Sequence, residues 1–249
     1  MIDTISILDN EQNQRNNISS KKTHVVLFTG GRDSTLTASL LMMRSIPVCL
    51  LSANNGCSIH REIIEYRIHE LTKRFGNNLL LEHKTLDISG TFRSIALKDI
   101  ESDILTYKKN LIILGEMLAL LTHAIDFCLR NDYHDINAGY TIYQEEFPEQ
   151  RRPAIDFFKE FLSHYGINFH LPIYEEATSV EYVKYRLMEI GLSNKPLEGS
   201  TLFSDTFSVA DNKTILEYLH SKKEQAHKQV QFLTQKSFSN EFKTTVTSL

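Results

Sequence analysis

The run Thr29-Gly30-Gly31-Arg32-Asp33-Ser34-Thr35 follows directly on the apolar stretch His24-Val25-Val26-Leu27-Phe28, and the chemistry this spacing allows is the holding of a phosphate. Paired glycines let a backbone come close to an anion and take turns closed to other residues. A helix opening at Ser34 or Thr35 then aims its free N–H groups and the positive end of its dipole at that anion. The loop is neither the Walker sequence nor the three-glycine dinucleotide fingerprint, so it is a phosphate loop of another kind. A helix cap would explain Asp33 and Ser34 alone. It would not call for two glycines, so phosphate contacts are expected from Thr29 to Thr35, with a magnesium role for Asp33.

Other residues have chemistry without so clear a pattern. Lys109, beside Lys108 and just before Asn110 at the head of a helix, is a candidate anion contact. Arg151 and Arg152 precede Pro153 at a helix start, where basic side chains oppose the dipole; an acidic ligand would account for them. Glu145, Glu146 and Glu149 read as a solvated loop in which one carboxylate can act as a base. Cys57 reads as a small hydrophobe. Of the ten histidines only His60 falls beside the expected nucleotide site.

These residues need a scaffold, and 249 residues with 41% hydrophobic content are enough for one sizeable core, hence one domain. No apolar run is expected to cross a bilayer, and residues 1–22 lack the apolar centre of a signal peptide, so a cytoplasmic protein is expected. Three cysteines, Cys49, Cys57 and Cys128, give no disulfide framework. A formal net charge of −4 disfavours a nucleic-acid partner.

Along the chain, residues 1–22 read as a mobile tail. Strands are expected at His24–Phe28, Pro47–Ser52, Leu79–Leu86 and His134–Ala138. Between them lie helices over Leu36–Met43, from a Ser58 cap to Phe75, and over the apolar Leu111–Leu129, which should be buried under the sheet. Asn212–Gln235 reads as a surface helix with a thin stripe of Ile215, Leu219 and Phe232, and 238–249 as a frayed end. The domain is thus expected over 23–210, with 211–249 as a C-terminal helix and tail. Alternating strands and helices imply an α/β fold, a doubly wound parallel sheet. Ligands of such sheets sit beyond the carboxyl ends of the strands, where 29–34, 53–57 and 139–143 converge. Ser52, Ala53, Asn54, Gly56, Asn110 and Gly139 are expected to line the nucleotide site.

The loop resembles the Ser-Gly-Gly-x-Asp-Ser motif of the PP-loop ATP pyrophosphatases, with Thr29 for the first Ser. Those enzymes bind ATP and Mg2+ and release AMP and pyrophosphate while adenylating a substrate oxygen, which a nitrogen or sulfur nucleophile then displaces. Within that superfamily the chain is similar to the 7-cyano-7-deazaguanine synthases. Asn55-Gly56-Cys57 stands for their Tyr-Gly-Gln, His60-Arg61-Glu62 follows at the family spacing, and Lys109-Asn110 stands for Arg-Asn. Phe147-Pro148-Glu149-Gln150-Arg151 matches Tyr-Pro-Asp-Cys-Arg, and Leu171-Pro172-Ile173 and Ser179-Val180-Glu181-Tyr182-Val183 echo later segments. The resemblance implies catalytic roles for Asp33, Ser34, Lys109 and Arg151, and acceptor contacts from Cys57, His60, Arg61, Tyr140, Phe147, Glu149, Gln150 and Arg151. It implies a small carboxylate acceptor, a deazapurine or another, with ammonia as nucleophile, and a homodimer.

The chain also departs from the family. No cysteine lies beyond Cys128, so the family's four-cysteine zinc site is expected to be absent. Lys109 replaces an Arg and loses its bidentate fork, and Gln150 replaces a Cys. Sulfur transfer through Cys57 and a degenerate nucleotide-binding module stay open beside the ligase reading.

Overall fold

The computed structural model describes residues 22–59, 63–197, 200–201, 203 and 206–246. The strands are β1 (His24–Leu27), β2 (Val48–Asn54), β3 (Ser58–Ile59), β4 (Leu80–Asp87), β5 (Asp135–Asn137), β6 (Asn168–His170) and β7 (Ser200–Thr201). The helices are α1 (Arg32–Met43), α2 (Ile63–Phe75), α3 (Ser89–Phe92), α4 (Ile100–Tyr107), α5 (Ile112–Asn131), α6 (Arg152–Ser163), α7 (Val180–Ile190) and α8 (Asn212–Val246), with a π-helical turn at Arg93–Leu97.

Five strands form one parallel sheet in the order β4-β2-β1-β5-β6. The central strands are apolar on both faces because helices cover both. Alternation sorts their side chains: Val25, Leu27, Cys49 and Leu51 face the core shared with α5, α6 and α8, whereas Val26, Leu50 and Val48 face that shared with α1, α2 and α7. The chain travels outward from β1 through β2 to β4, then returns to lay β5 on the other side of β1. Strand order therefore reverses between β1 and β5, and the crevice beyond their carboxyl ends is where such sheets take ligands.

Several expectations need correction. Helix α1 opens at Arg32 with an extended Gly31 as its N-cap, not at Ser34 or Thr35, because the Ser34 and Thr35 hydroxyls turn back onto the Gly31 carbonyl. Ser58 caps no helix; it pairs with Thr201 in the two-stranded β3–β7 ribbon. Helix α5 is long and apolar enough to cross a membrane, contrary to the expectation, yet Ile112 to Cys128 are mostly buried within this protein. Its neighbour α8 runs on to Val246, through the segment expected to fray. The stripe of α8 is broader than expected: Ile215, Tyr218, Leu219, Ala226 and Val230 are all but fully buried, while Phe232 is exposed. Lys222 is buried on the same face, 2.7 Å from Asp103 and 3.6 Å from Asp99, and so ties α8 to α4.

Candidate active site

The loop between β1 and α1 is shaped by its own hydroxyls. The Thr29 amide donates to Ser34 Oγ at 3.3 Å and the Gly31 amide to Thr29 Oγ1 at 3.1 Å. Ser34 Oγ and Thr35 Oγ1 donate to the Gly31 carbonyl at 3.2 and 2.6 Å. These residues are thus engaged in folding the loop. Gly30 has φ +82°, and a Cβ there would lie 2.5 Å from the Leu197 carbonyl oxygen. Gly30 is required on both counts.

Gly139, at the end of β5, has another reason to be glycine. An added Cβ would lie 2.6 Å from the Ser34 nitrogen and 2.7 Å from the Asp33 carbonyl carbon. Only a bare backbone lets the end of β5 rest on the first turn of α1, which closes the crevice floor at the point where strand order reverses. The residue after this floor, Tyr140, is buried, and Tyr143 donates its hydroxyl to both Asp33 carboxylate oxygens, at 3.0 and 3.1 Å. Burial, and after it the Asp33 charge, raises the Tyr143 phenol well above its ordinary value, so it stays a donor. Arg32 lies close enough to oppose that shift. Asp33 fits a magnesium ion carried on nucleotide phosphates, since Mg2+ is usually held by one or two carboxylates together with phosphate oxygens.

The loop after β2 is equally ordered. Ser52 Oγ donates to the Phe28 carbonyl at 2.6 Å and lies 2.8 Å from His83 Nε2, so this hydroxyl joins β2 to β1 and β4. Ala53 is half-buried; Asn54 Oδ1 accepts from the Gly56 amide at 3.1 Å, and Gly56 has φ +83°. Asn55 Oδ1 accepts from the Cys57 amide at 2.8 Å, while Asn55 Nδ2 donates to Glu116 Oε1 at 2.9 Å. The Cys57 thiol is half-buried. His60 and Arg61 lie outside the described residues.

Beyond β5, the Thr141 amide donates to Gln150 Oε1 and Gln150 Nε2 to Gln144 Oε1, both at 2.9 Å. Gln150 therefore braces the 141–150 loop with its whole amide. Phe147 packs on Phe207 at 4.7 Å between ring centres. Glu149 departs from expectation: Glu145 and Glu146 are exposed, but Glu149 is buried. Burial, and then the nearby Glu116, pushes its carboxyl up to about 8.

Lys109 and Arg151 come together. They line a cleft of about 690 Å³ with Val209, Ala210, Asp211, Asn212 and Lys213, at the N-terminus of α8. Arg151 Nη1 also donates to the Ala210 carbonyl. Asp211 also lines it, capped onto the helix by the Thr214 amide at 2.9 Å and hydroxyl at 3.0 Å, so three cations stand against one carboxylate. Asn110 points elsewhere: its Oδ1 accepts from the Ile112 amide at 3.2 Å and its Nδ2 donates to the Thr206 carbonyl.

Arg67 is a residue that sequence reasoning missed. It is fully buried, with Nε on the Gly30 carbonyl at 3.4 Å, and Nη1 and Nη2 on the Ser193 and Lys195 carbonyls at 2.7 Å each. Its Nη1 also meets Glu70 Oε2 at 2.7 Å. A signal was present. Arg67 lies three residues after Ile64 and four before Leu71, so it is a cation on the apolar face of α2. Asn55 and Tyr143 fall in segments expected at the site, 53–57 and 139–143, but were given no role there, and Glu116 was missed because no local pattern marks it.

By sequence, no family model and no curated protein matches the chain. By structure, it is similar to a 4-thiouridine synthetase solved as an RNA complex with bound ATP, with TM-score 0.54 and 15% identity over 86% of this chain. The chain spans 53% of that synthetase's length. Weaker likenesses are to a predicted subunit of tRNA methyltransferase from Methanocaldococcus jannaschii (TM-score 0.44, 19% identity, 69% of this chain and 90% of that one) and to the NMN synthetase of Francisella tularensis (TM-score 0.47, 15% identity, 91% and 92%). At 15% identity the likeness to the synthetase speaks of the fold alone.

Proposed function

We propose that this protein is an AMP-forming ATP pyrophosphatase of the PP-loop type that adenylates an oxygen of a small acidic acceptor, for displacement by a nitrogen nucleophile. The observation that carries the reading is the placement of the Thr29–Thr35 loop. It opens at the point where strand order reverses, with the N-terminus of α1 behind it, and backbone contact forces the glycine both at Gly30 within it and at Gly139 against it. The ATP bound in the similarly folded 4-thiouridine synthetase is in keeping with this.

In this reading, backbone N–H groups at the start of α1 bind the β- and γ-phosphates, and Asp33, oriented by Tyr143, holds the magnesium ion that accompanies them. The acceptor lies in the cleft of Lys109 and Arg151, whose volume is within the roughly 300–1,000 Å³ typical of small-molecule sites. Its oxygen attacks the α-phosphorus, the bond to the β-phosphate oxygen breaks, and pyrophosphate leaves. The protein's work is to place the reactants and neutralise charge.

Product analysis tests this. AMP and pyrophosphate are expected from ATP, and Asp33→Asn should abolish their formation while leaving the fold intact; ADP and phosphate would refute it. Nucleotide binding with no pyrophosphate release under any acceptor would instead indicate a binding module. A second reading, sulfur transfer, is favoured by the half-buried Cys57 in the loop after β2, at the same carboxyl edge of the sheet as the Thr29–Thr35 loop. Full turnover in both Cys57→Ser and Cys57→Ala would exclude it.

A further inference from the structure

Around the far wall of the crevice, four side chains offer more acceptors than donors. Asn55, Tyr140 and Glu149 are 2%, 9% and 8% exposed, all beyond nine-tenths buried. They come from the loop after β2, the end of β5 and the short 3₁₀ turn Pro148–Gln150; Glu116 reaches in from the second turn of α5. Asn55 gives its Nδ2 to Glu116 at 2.9 Å. Glu149 Oε2 and the Tyr140 hydroxyl have no hydrogen-bond partner among the described residues. Each of these groups lies within electrostatic reach of the next: Glu149 bears on Tyr140, and Glu116 on Glu149.

A buried polar atom without a partner costs on the order of 1–3 kcal/mol, and more when charged, so two in one place need an explanation. Protonating Glu149 does not supply one, since the orphaned acceptor becomes an orphaned donor. What the group lacks is positive charge that carries hydrogen-bond donors. A bare metal ion could be coordinated by the two carboxyls but would leave the Tyr140 O–H without an acceptor, and among the described residues no third acid, histidine or cysteine joins them to complete a metal site. Ammonium brings four donors and one charge.

We propose that Glu149, Glu116, Tyr140 and Asn55 form a binding site for ammonium, and that Glu149 takes the proton whose loss makes it a nucleophile. The second half rests on the ATP pyrophosphatase reading; the binding site does not. Glu149 removes one proton from ammonium, and the lone pair of the resulting ammonia forms the N–C bond as the C–O bond to AMP breaks. A second proton leaves the new nitrogen as it becomes an amide and passes to Glu116, which is half-buried and opens to solvent. Glu116 from α5 faces Glu149 and, after burial, disfavours its charge, and the neutral Tyr140 hydroxyl stands beside it, so ammonium should bind best above the pH at which Glu149 ionises, about 8.

Thermal unfolding of the full chain at pH 7 and pH 9 reads this directly, with ammonium chloride compared against sodium, potassium and tetramethylammonium chloride at matched ionic strength. A saturable stabilisation by ammonium alone, larger at pH 9, is expected. It should vanish in Glu149→Gln and weaken severalfold in Tyr140→Phe. Equal stabilisation by potassium, or an unchanged ammonium response in Glu149→Gln, would overturn the site; if that variant does not fold, an unchanged response in Tyr140→Phe does the same. MgATP calorimetry on the same samples keeps the two readings apart. ATP binding without an ammonium response refutes this site, and an ammonium response without ATP binding refutes the nucleotide reading.

Discussion

Gly139 shows how narrowly the site is fitted at the scale of single residues. Its missing Cβ is all that lets β5 touch the Asp33–Ser34 peptide, so Gly139→Ala must push the first turn of α1 away. We expect a stability loss of about 1–3 kcal/mol by urea unfolding, as in other overpacked sites, and a tenfold or greater loss of ATP affinity by calorimetry. Tyr143→Phe should act more selectively. It removes the donor that orients Asp33, so ATP affinity should fall severalfold with magnesium present and little without it. Both residues stand near a loop that was legible in the sequence, because hydroxyls, glycines and a preceding strand are a local pattern. Glu149 was not legible. Three acids in five positions look like a solvated loop, and only the return of the chain against α5 buries one of them.

Helix α8 carries the same lesson at the scale of an element. Its buried positions, Ile215, Tyr218, Leu219, Lys222, Ala226 and Val230, recur at three- and four-residue steps. The stripe looks thin in sequence because Lys222 interrupts it and Tyr218, Ala226 and Val230 stand scattered among Lys, Gln and Glu. Lys222 lays its stem along the core and ends on Asp103 and Asp99. Lys222→Ala should therefore cost up to about 3 kcal/mol by leaving an acid unpaired. Lys228→Ala, removing an exposed pair with Glu224, should stay within about 0.5 kcal/mol in the same urea titration. Farther back, the segment where the resembling family has zinc thiolates holds aromatic contacts instead: Phe203 meets Phe92 at 5.8 Å and Phe207 meets Phe147 at 4.7 Å. Elemental analysis of dialysed protein should find no stoichiometric zinc.

For the molecule as a whole, α/β class was legible because strands covered on both faces must be apolar runs, and helices between them must be amphipathic. Strand order was not, since nothing local says that β5 returns to the far side of β1. Global stability should carry the mark of Glu149. Its folded carboxyl titrates near 8 and its unfolded one in the ordinary carboxylate range, so the folded state binds the extra proton between those limits. Stability from this group is complete below the unfolded value and lost as pH rises to about 8. Glu149→Gln should flatten that decline and be the more stable form at pH 8, measured by urea midpoints across pH in the absence of ammonium. Arg67 adds a consequence for biosynthesis. It leaves the ribosome soon after Gly30, yet two of its acceptors, the carbonyls of Ser193 and Lys195, follow 126 and 128 residues later. A nascent chain stalled before them holds a guanidinium with those partners still unmade, so the phosphate loop gains its backing late in translation. Released chains truncated near residue 190 should be cut readily by protease and fail to retain nucleotide, whereas the full chain should do neither.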